Sequence, residues 1–477
     1  MKTERHHGLT GVGNVKSKGN EYGLFTLAWP IFIEVFLQTL LGTVDTIMVS
    51  RISDDAVAVV GLSGQLFGAL TTLFMTISGG AGILIAQRLG AGRREDARTI
   101  AIMSVTVSGA IGLAIGFVLY AQAVPLGGLL RVSDELLPLW DVYVSYFGGG
   151  MALTALSAAL GTAIRNTGNT KAPMYIGIAM NVAHIFLNYV LIFGMFGFPE
   201  WGLFGVTVSG NISRLIAVLL LFYVFMYSFD RKIGWRDMVV FKPKLFKEIL
   251  HIGWPMGANM SGWVLSQLAI YTFIAVLGAK ELAAKTYLNT MESFCFMLGS
   301  AIALALQIQI AHLYGAGKTK EAYRGAYRAL GVGLVLVSVN ALLLFLMGRL
   351  FLGLFTNDEE ILAMGTALLA LNLLLQPGKM MNMSLNNALN AVGDTRFTMV
   401  TGLVSLTVVA TGGSYALGVY AGWGLAGVYC CMIADEYVRG LVVLWRWRGR
   451  KYLRKADANA TGPDRRSSGV RVPGIPG

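Results

Sequence analysis

The chain has 477 residues, 55% of them hydrophobic and only 13% charged, with a formal net charge of +12 and a mean hydropathy of +0.62. Soluble domains carry roughly 25% charged residues, so this chain has too few to cover a water-facing surface of its size. Apolar runs of about 20 residues, the length that crosses a ~30 Å hydrocarbon core as a helix, recur throughout; they exclude a soluble globular protein and predict an all-α integral membrane protein.

Residues 1–23 are mostly polar and hold no apolar stretch of the kind a cleavable signal peptide needs. The paired His6 and His7 there read as solvated tail rather than metal ligands. Six apolar spans follow between residues 24 and 227, the first near 24–49 and the fifth near 172–196. A basic linker, 228–245, leads to six more between 246 and 445. Residues 446–477 are basic and contain Pro and Gly, a composition that predicts a disordered tail. Cys295, Cys430 and Cys431 all lie in apolar segments without metal-ligand spacing, so neither a disulfide framework nor a zinc site is expected.

Lysine and arginine placement tests the count of twelve, because cytoplasmic loops carry the excess. With both termini inside, the outer loops hold only Arg51, Arg131, Lys280, Lys285 and Arg349. Arg214, Lys379 and Arg439 fall within spans, and every other basic residue lies in a terminus or an inner loop. An error of one span would scramble this alternation. The reading is a multi-pass protein of a cell inner membrane or plasma membrane, both termini cytoplasmic, surrounded by lipid and monomeric. Its positive charge reflects topology, so nucleic acid is not an implied partner.

The two sets of six spans are copies. Trp29-Pro30 returns as Trp254-Pro255, and Gly90-Ala91-Gly92 as Gly315-Ala316-Gly317. "GNTK" at Gly168–Lys171 returns as "GDTR" at Gly393–Arg396, always 225 positions later. An even number of spans per copy makes the repeats parallel, related by an axis along the membrane normal. Each Gly-Ala-Gly ends a helix, where glycine accepts a left-handed cap. A phosphate-binding loop is not expected there: the segment before each turn reads as a helix, whereas a phosphate-binding loop follows a strand.

Ionisable groups within spans mark function by default. In the first span, Glu34, Gln38 and Asp45 fall within about 40° of one another at 100° per residue, and Glu34 and Asp45 stand about 16 Å apart along the axis. Pro30 predicts a kink and a hinge below them, and Pro255 its counterpart. Such a stripe serves either as a structural hydrogen-bond network or as a cation or proton site. Low-dielectric surroundings disfavour an ionised carboxylate; Asp45 or Glu34 would take a proton from outside and lose it inside, attracting a cation when ionised and releasing it when neutral. The fifth span places Asn181, His184 and Asn188 on one broad face, as hydrogen-bonded structure or as part of a polar pocket with the first span. Arg214 in the sixth span needs a partner. In the second half Asn259, Gln267, Asn289 and Glu292 supply polarity, Lys379 needs Glu292 or Asp45 as partner, and Arg439 has Asp435 four residues earlier for a local pair. Met380, Met381 and Met383 cluster beside Lys379, as core filling or as an adaptable apolar surface.

Together the twelve spans in two parallel halves, the Trp-Pro opening of each half, "TVDTIMVS" around Asp45, the Gly-Ala-Gly turns and the "GNTK"/"GDTR" loops resemble the multidrug and toxic compound extrusion (MATE) family, from about Leu24 to Trp445. The resemblance implies two six-helix lobes forming a V around a central cavity. It implies a secondary antiporter, not an enzyme, that exports amphipathic organic cations by alternating access, in exchange for inward H+ or Na+ and without a cofactor. Asp45, spaced from Pro30 as in the family, inherits the coupling role, with Glu34 beside it. Gln38, Asn181, His184, Asn188, Glu292 and Lys379 would then line the substrate or ion path. His184 departs from the Asn and Asp or Asn that relatives carry in that span. Trp263 stands where sodium-linked members carry a glutamate, and the tenth span has Lys379 and no acid. These departures resemble the DinF-like branch and favour protons. Arg214 and Lys379 keep open a lipid-linked saccharide flippase of the same broad superfamily. An intramembrane prenyltransferase would need clustered aspartates for magnesium, which the spans lack.

Overall fold

The computed structural model describes residues 23–450 apart from 230, 235, 236 and 239. The expectations for His6, His7 and nearly all of the C-terminal tail therefore lie outside the described residues. Among those described, regular structure is entirely helical. The first half contains α1 (Leu24–Val49), α2 (Asp54–Gly90), α3 (Arg94–Ala121), the short α4 (Ala123–Leu129), α5 (Leu137–Gly149), α6 (Met151–Asn166), α7 (Lys171–Phe193) and α8 (Gly202–Met226). The second contains α9 (Pro243–Leu277), α10 (Ala279–Gly315), α11 (Thr319–Leu346), the short α12 (Gly348–Leu352), α13 (Glu359–Ala391), α14 (Thr395–Ser405) and α15 (Gly424–Arg448).

Among the described residues eleven segments are long and apolar enough to cross a membrane; α5 and α6 count as one span broken at Gly150, and α14 continues in wide π turns to Tyr420. The remaining helix, α15, has 25 residues and so the length to span, but it carries Asp435, Glu436 and Arg439. These three are buried and pair with one another, Arg439 Nη2 lying 3.0 Å from Glu436 Oε1 and also meeting Asp435. Charges compensated in this way are tolerated in a helix that apolarity alone would reject. The helix also runs to Arg448, past the expected end of the last span.

The duplication is legible in the elements themselves. Helices α2 and α10, and likewise α3 and α11, begin and end 225 positions apart. In both Gly-Ala-Gly turns the last glycine carries the left-handed backbone, φ +73° at Gly92 and +74° at Gly317, a conformation other residues avoid. Ser53 opens α2 by accepting the Ala56 N–H at 3.0 Å, with Asp54 and Asp55 in the first turn favoured by the helix dipole.

The chain divides into two compact units whose boundary falls between Gly257 and Ala258. That boundary lies inside α9, not at the start of the second set of spans at residue 246. The reason is close packing: a Cβ at Gly80 would stand 2.6 Å from the Ile249 carbonyl oxygen and 2.8 Å from the Gly253 nitrogen. The first part of α9 is thus seated directly on α2, and Ile249 and Ile252 join a core with Ile83, Ile100 and Phe225. Within the second unit, α10, α13 and α15 enclose a core around Leu288, Leu369 and Tyr429. Lys285 is not a loop residue as charge placement suggested; it lies within α10 and is 1% exposed.

Candidate functional site

In the first unit, helix α1 brings Asp45 against α7. His184 Nε2 lies 2.9 Å from Asp45 Oδ1, and Asn188 Nδ2 donates to the same oxygen at 2.9 Å. Asn188 Nδ2 and His184 Nε2 are themselves 3.0 Å apart. Spacing of four residues on α7 places both side chains on one face. Ser209 of α8 donates its hydroxyl to Asn188 Oδ1, which orients the amide so that its N–H groups face Asp45 and the imidazole.

This triangle can hold a proton in more than one place. With Nε2 protonated, the imidazole donates to the carboxylate. With Nε2 bare, a carboxyl proton or the second Asn188 N–H takes that contact. The Asp45 side chain is 28% exposed, whereas Asn188 is fully buried, so the amide anchors a carboxylate that stays partly accessible. Asp45 and His184 also line a cavity of about 130 Å³, with Tyr143, Phe147, Ser213 and Arg214 among the other lining residues. Pockets for drug-sized ligands measure roughly 300–1,000 Å³, whereas a cavity of about 150 Å³ holds a single benzene ring. The space suits an ion, waters or a compact single-ring molecule.

The other candidates are distributed differently. Glu34 does not join Asp45: its Oε1 accepts from Arg165 Nη1 of α6 at 2.6 Å, with both side chains mostly buried. The shared face of α1 is real, but a separation of about 16 Å puts its two acids in different neighbourhoods. Gln38 is exposed. Asn181 is buried with its side-chain oxygen unpartnered and does not line the cavity. Pro30 and Pro255 lie inside α1 and α9. In the second unit Glu292 settles the partner of Lys379. Its Oε2 is 3.6 Å from both Lys379 Nζ and Lys285 Nζ, and Tyr429 donates to its Oε1 at 2.9 Å.

Sequence reasoning missed Arg165, Ser209, Tyr143, Lys285 and Tyr429 as members of these networks. Arg165 sits in the last turn of its helix and looked like topological charge, as Lys285 did. Nothing in one sequence singles out a serine or a tyrosine among so many. Among the described residues no three His, Cys, Asp or Glu side chains converge as a metal site.

The family model MatE matches the chain twice, over residues 30–190 and 255–415, two stretches displaced by the same 225 positions. The uncharacterised transporter YisQ of Bacillus subtilis is 33% identical over 443 residues, covering 93% of this chain and 97% of the relative. The multidrug resistance protein PmpM of Pseudomonas aeruginosa is 26% identical over 406 residues, 83% of each chain. A solved multidrug resistance MATE transporter of the MOP superfamily in an outward-facing conformation superposes with a TM-score of 0.83 at 18% identity, covering 93% of this chain and 99% of that one. Two copies of one family model in tandem, matched by a near-full-length relative and a shared fold, leave one assignment: the chain belongs to the MatE family and is a multi-pass membrane transporter, not an enzyme.

Proposed function

We propose that the protein is a proton-coupled exporter of small amphipathic organic cations, with Asp45 as the residue that binds the coupling proton. The observation that carries this reading is the Asp45–His184–Asn188 triangle at the edge of a small cavity. A carboxylate held by an imidazole and an amide accepts and returns a proton without breaking an ion pair to a lysine or arginine. Protonation removes the negative charge that retains a cation; loss of the proton restores it. Sodium would want several oxygen ligands, as hard cations do, and a single carboxylate beside an imidazole is a poor match. PmpM and related proteins are named for multidrug resistance, which supports the substrate class. In this reading Pro30 and Pro255, each depriving its helix of one backbone hydrogen bond, act as hinges for alternating access.

The test is efflux of a lipophilic dye cation from proteoliposomes under an imposed pH gradient and, separately, an imposed sodium gradient. Efflux driven by pH alone, lost in Asp45→Asn while the variant purifies as a folded protein, is the expected result. Efflux driven only by sodium, or full activity of the variant, overturns it. A flippase for a lipid-linked saccharide keeps one argument, the cations Arg214, Lys285 and Lys379 carried by long apolar helices. Binding of a lipid pyrophosphate in preference to the dye would favour it.

A further inference from the structure

Among the residues lining the first unit's cavity, Arg214 carries a charge for which the coupling reaction has no use. Its guanidinium stacks 4.1 Å above the Phe147 ring, and its Nη1 is buried without a hydrogen-bond partner. No ion pair satisfies it among the described residues. A largely enclosed cation without a direct ion pair is costly; its opposite charge, Asp45, lies on the wall of the same cavity, and the second repeat shows an arginine at the equivalent position gripped directly by acids.

Arg439 lies 225 positions after Arg214. It is held by Asp435 and by Glu436, four and three residues earlier on its own helix. The corresponding positions in the first repeat are Gly210 and Asn211. Gly210 has no side chain, and a Cβ there would meet Phe147 at 3.0 Å, so the ring occupies the space of the missing acid. Asn211 is turned away, donating Nδ2 to the Tyr146 carbonyl at 2.8 Å. The first repeat therefore has the arginine and neither internal acid, with a cavity beside it.

We propose that Arg214 is an anion subsite that receives the carboxylate of an amphoteric substrate whose cationic end faces Asp45. The planar guanidinium fork matches a carboxylate better than a spherical ion. Leu41, Val60, Phe147 and Met180 give the cavity apolar walls, which suits an apolar body between the two charges. This inference rests on the coupling role of Asp45 and narrows the substrate class. The titratable groups on the cavity wall are Asp45 of α1, Tyr143 of α5, His184 of α7 and Arg214 of α8. With Asp45 ionised, opposite charges on Asp45 and Arg214 complement a zwitterion. With Asp45 protonated, the remaining positive charge repels its ammonium end and releases it.

The experiment titrates three matched probes onto the detergent-solubilised full chain, at mildly alkaline pH and without a gradient: 4-(aminomethyl)benzoate, its methyl ester and its N-acetyl derivative. The zwitterion should bind about tenfold more tightly than the ester, the scale of one charge-assisted hydrogen bond. Arg214→Gln should abolish that preference. So should Asn211→Asp, which keeps the guanidinium and supplies an acid where the second repeat has one, so the outcome does not hang on Arg214→Gln folding. Equal binding of zwitterion and ester, a preference that survives both substitutions, or no binding of any probe overturns the proposal. Failure here is separable from failure of proton coupling, because pH-driven efflux of a lipophilic cation requires Asp45 and not Arg214.

Discussion

The two units handle a buried carboxylate in opposite ways. In the first, Asp45 faces an imidazole and an amide and keeps 28% of its side chain exposed at a cavity. In the second, Glu292 is 4% exposed and wedged between Lys285, Lys379 and the Tyr429 hydroxyl. A carboxylate hydrogen-bonded by an imidazole and an amide changes protonation without breaking an ion pair to a lysine or arginine. One that compensates two ammonium groups, one of them fully buried, cannot be neutralised without leaving them unpaired. Duplication supplied two similar frames, and we read the first as the working site and the second as ballast.

Four substitutions bear on this contrast. The largest effect should be Asp45→Asn: coupled efflux falls to background, while the thermal unfolding midpoint in detergent stays near that of the unmodified protein. Unchanged efflux would erase the distinction. Glu292→Gln should do the reverse. Stranding the buried Lys285, with the partly exposed Lys379 beside it, costs about 3–5 kcal/mol, read as a lowered unfolding midpoint, and adding Lys285→Met should recover part of the loss. A stable Glu292→Gln protein without transport would make the second unit a working site as well. Glu34→Gln, which leaves Arg165 without its partner, should cost about 1–3 kcal/mol and spare pH-driven efflux; loss of efflux from a stable variant would return Glu34 to the coupling machinery.

The smallest effect concerns the linker. The Gly234 N–H donates to Asp237 Oδ2 at 2.8 Å, and with the Arg98 guanidinium it holds that carboxyl below the usual carboxylate range. A lowered carboxyl pKa contributes stability above the unfolded value, near 3.9, and loses it as pH falls through the folded value. The linker should therefore resist protease between neutrality and about pH 5 and loosen only in stronger acid. Asp237→Asn should loosen it at neutral pH, and equal nicking of both proteins would remove the contact from consideration.

Much of the architecture could be read in advance because its causes are local or periodic. Span length follows from bilayer thickness, and the repeat shows as a constant displacement. Asp45, His184 and Asn188 were legible since polar residues in apolar helices must face protein or water rather than lipid. Their meeting at one oxygen was not legible, because helical phase says which side a residue takes and nothing about which helix lies opposite. The same limit hid Arg165 as the partner of Glu34 and put Lys285 in a loop.

Sequence alone was sufficient for the twelve-span helical plan, the duplication and the family, since these depend on hydropathy, spacing and order along the chain. Tertiary structure alone decided that Asp45 meets His184 and Asn188, that Glu292 binds two lysines, and that Arg214 stacks on Phe147 beside a cavity. Charge pairing is settled by distances of a few ångströms between side chains far apart in sequence, and such distances exist only once the helices have packed.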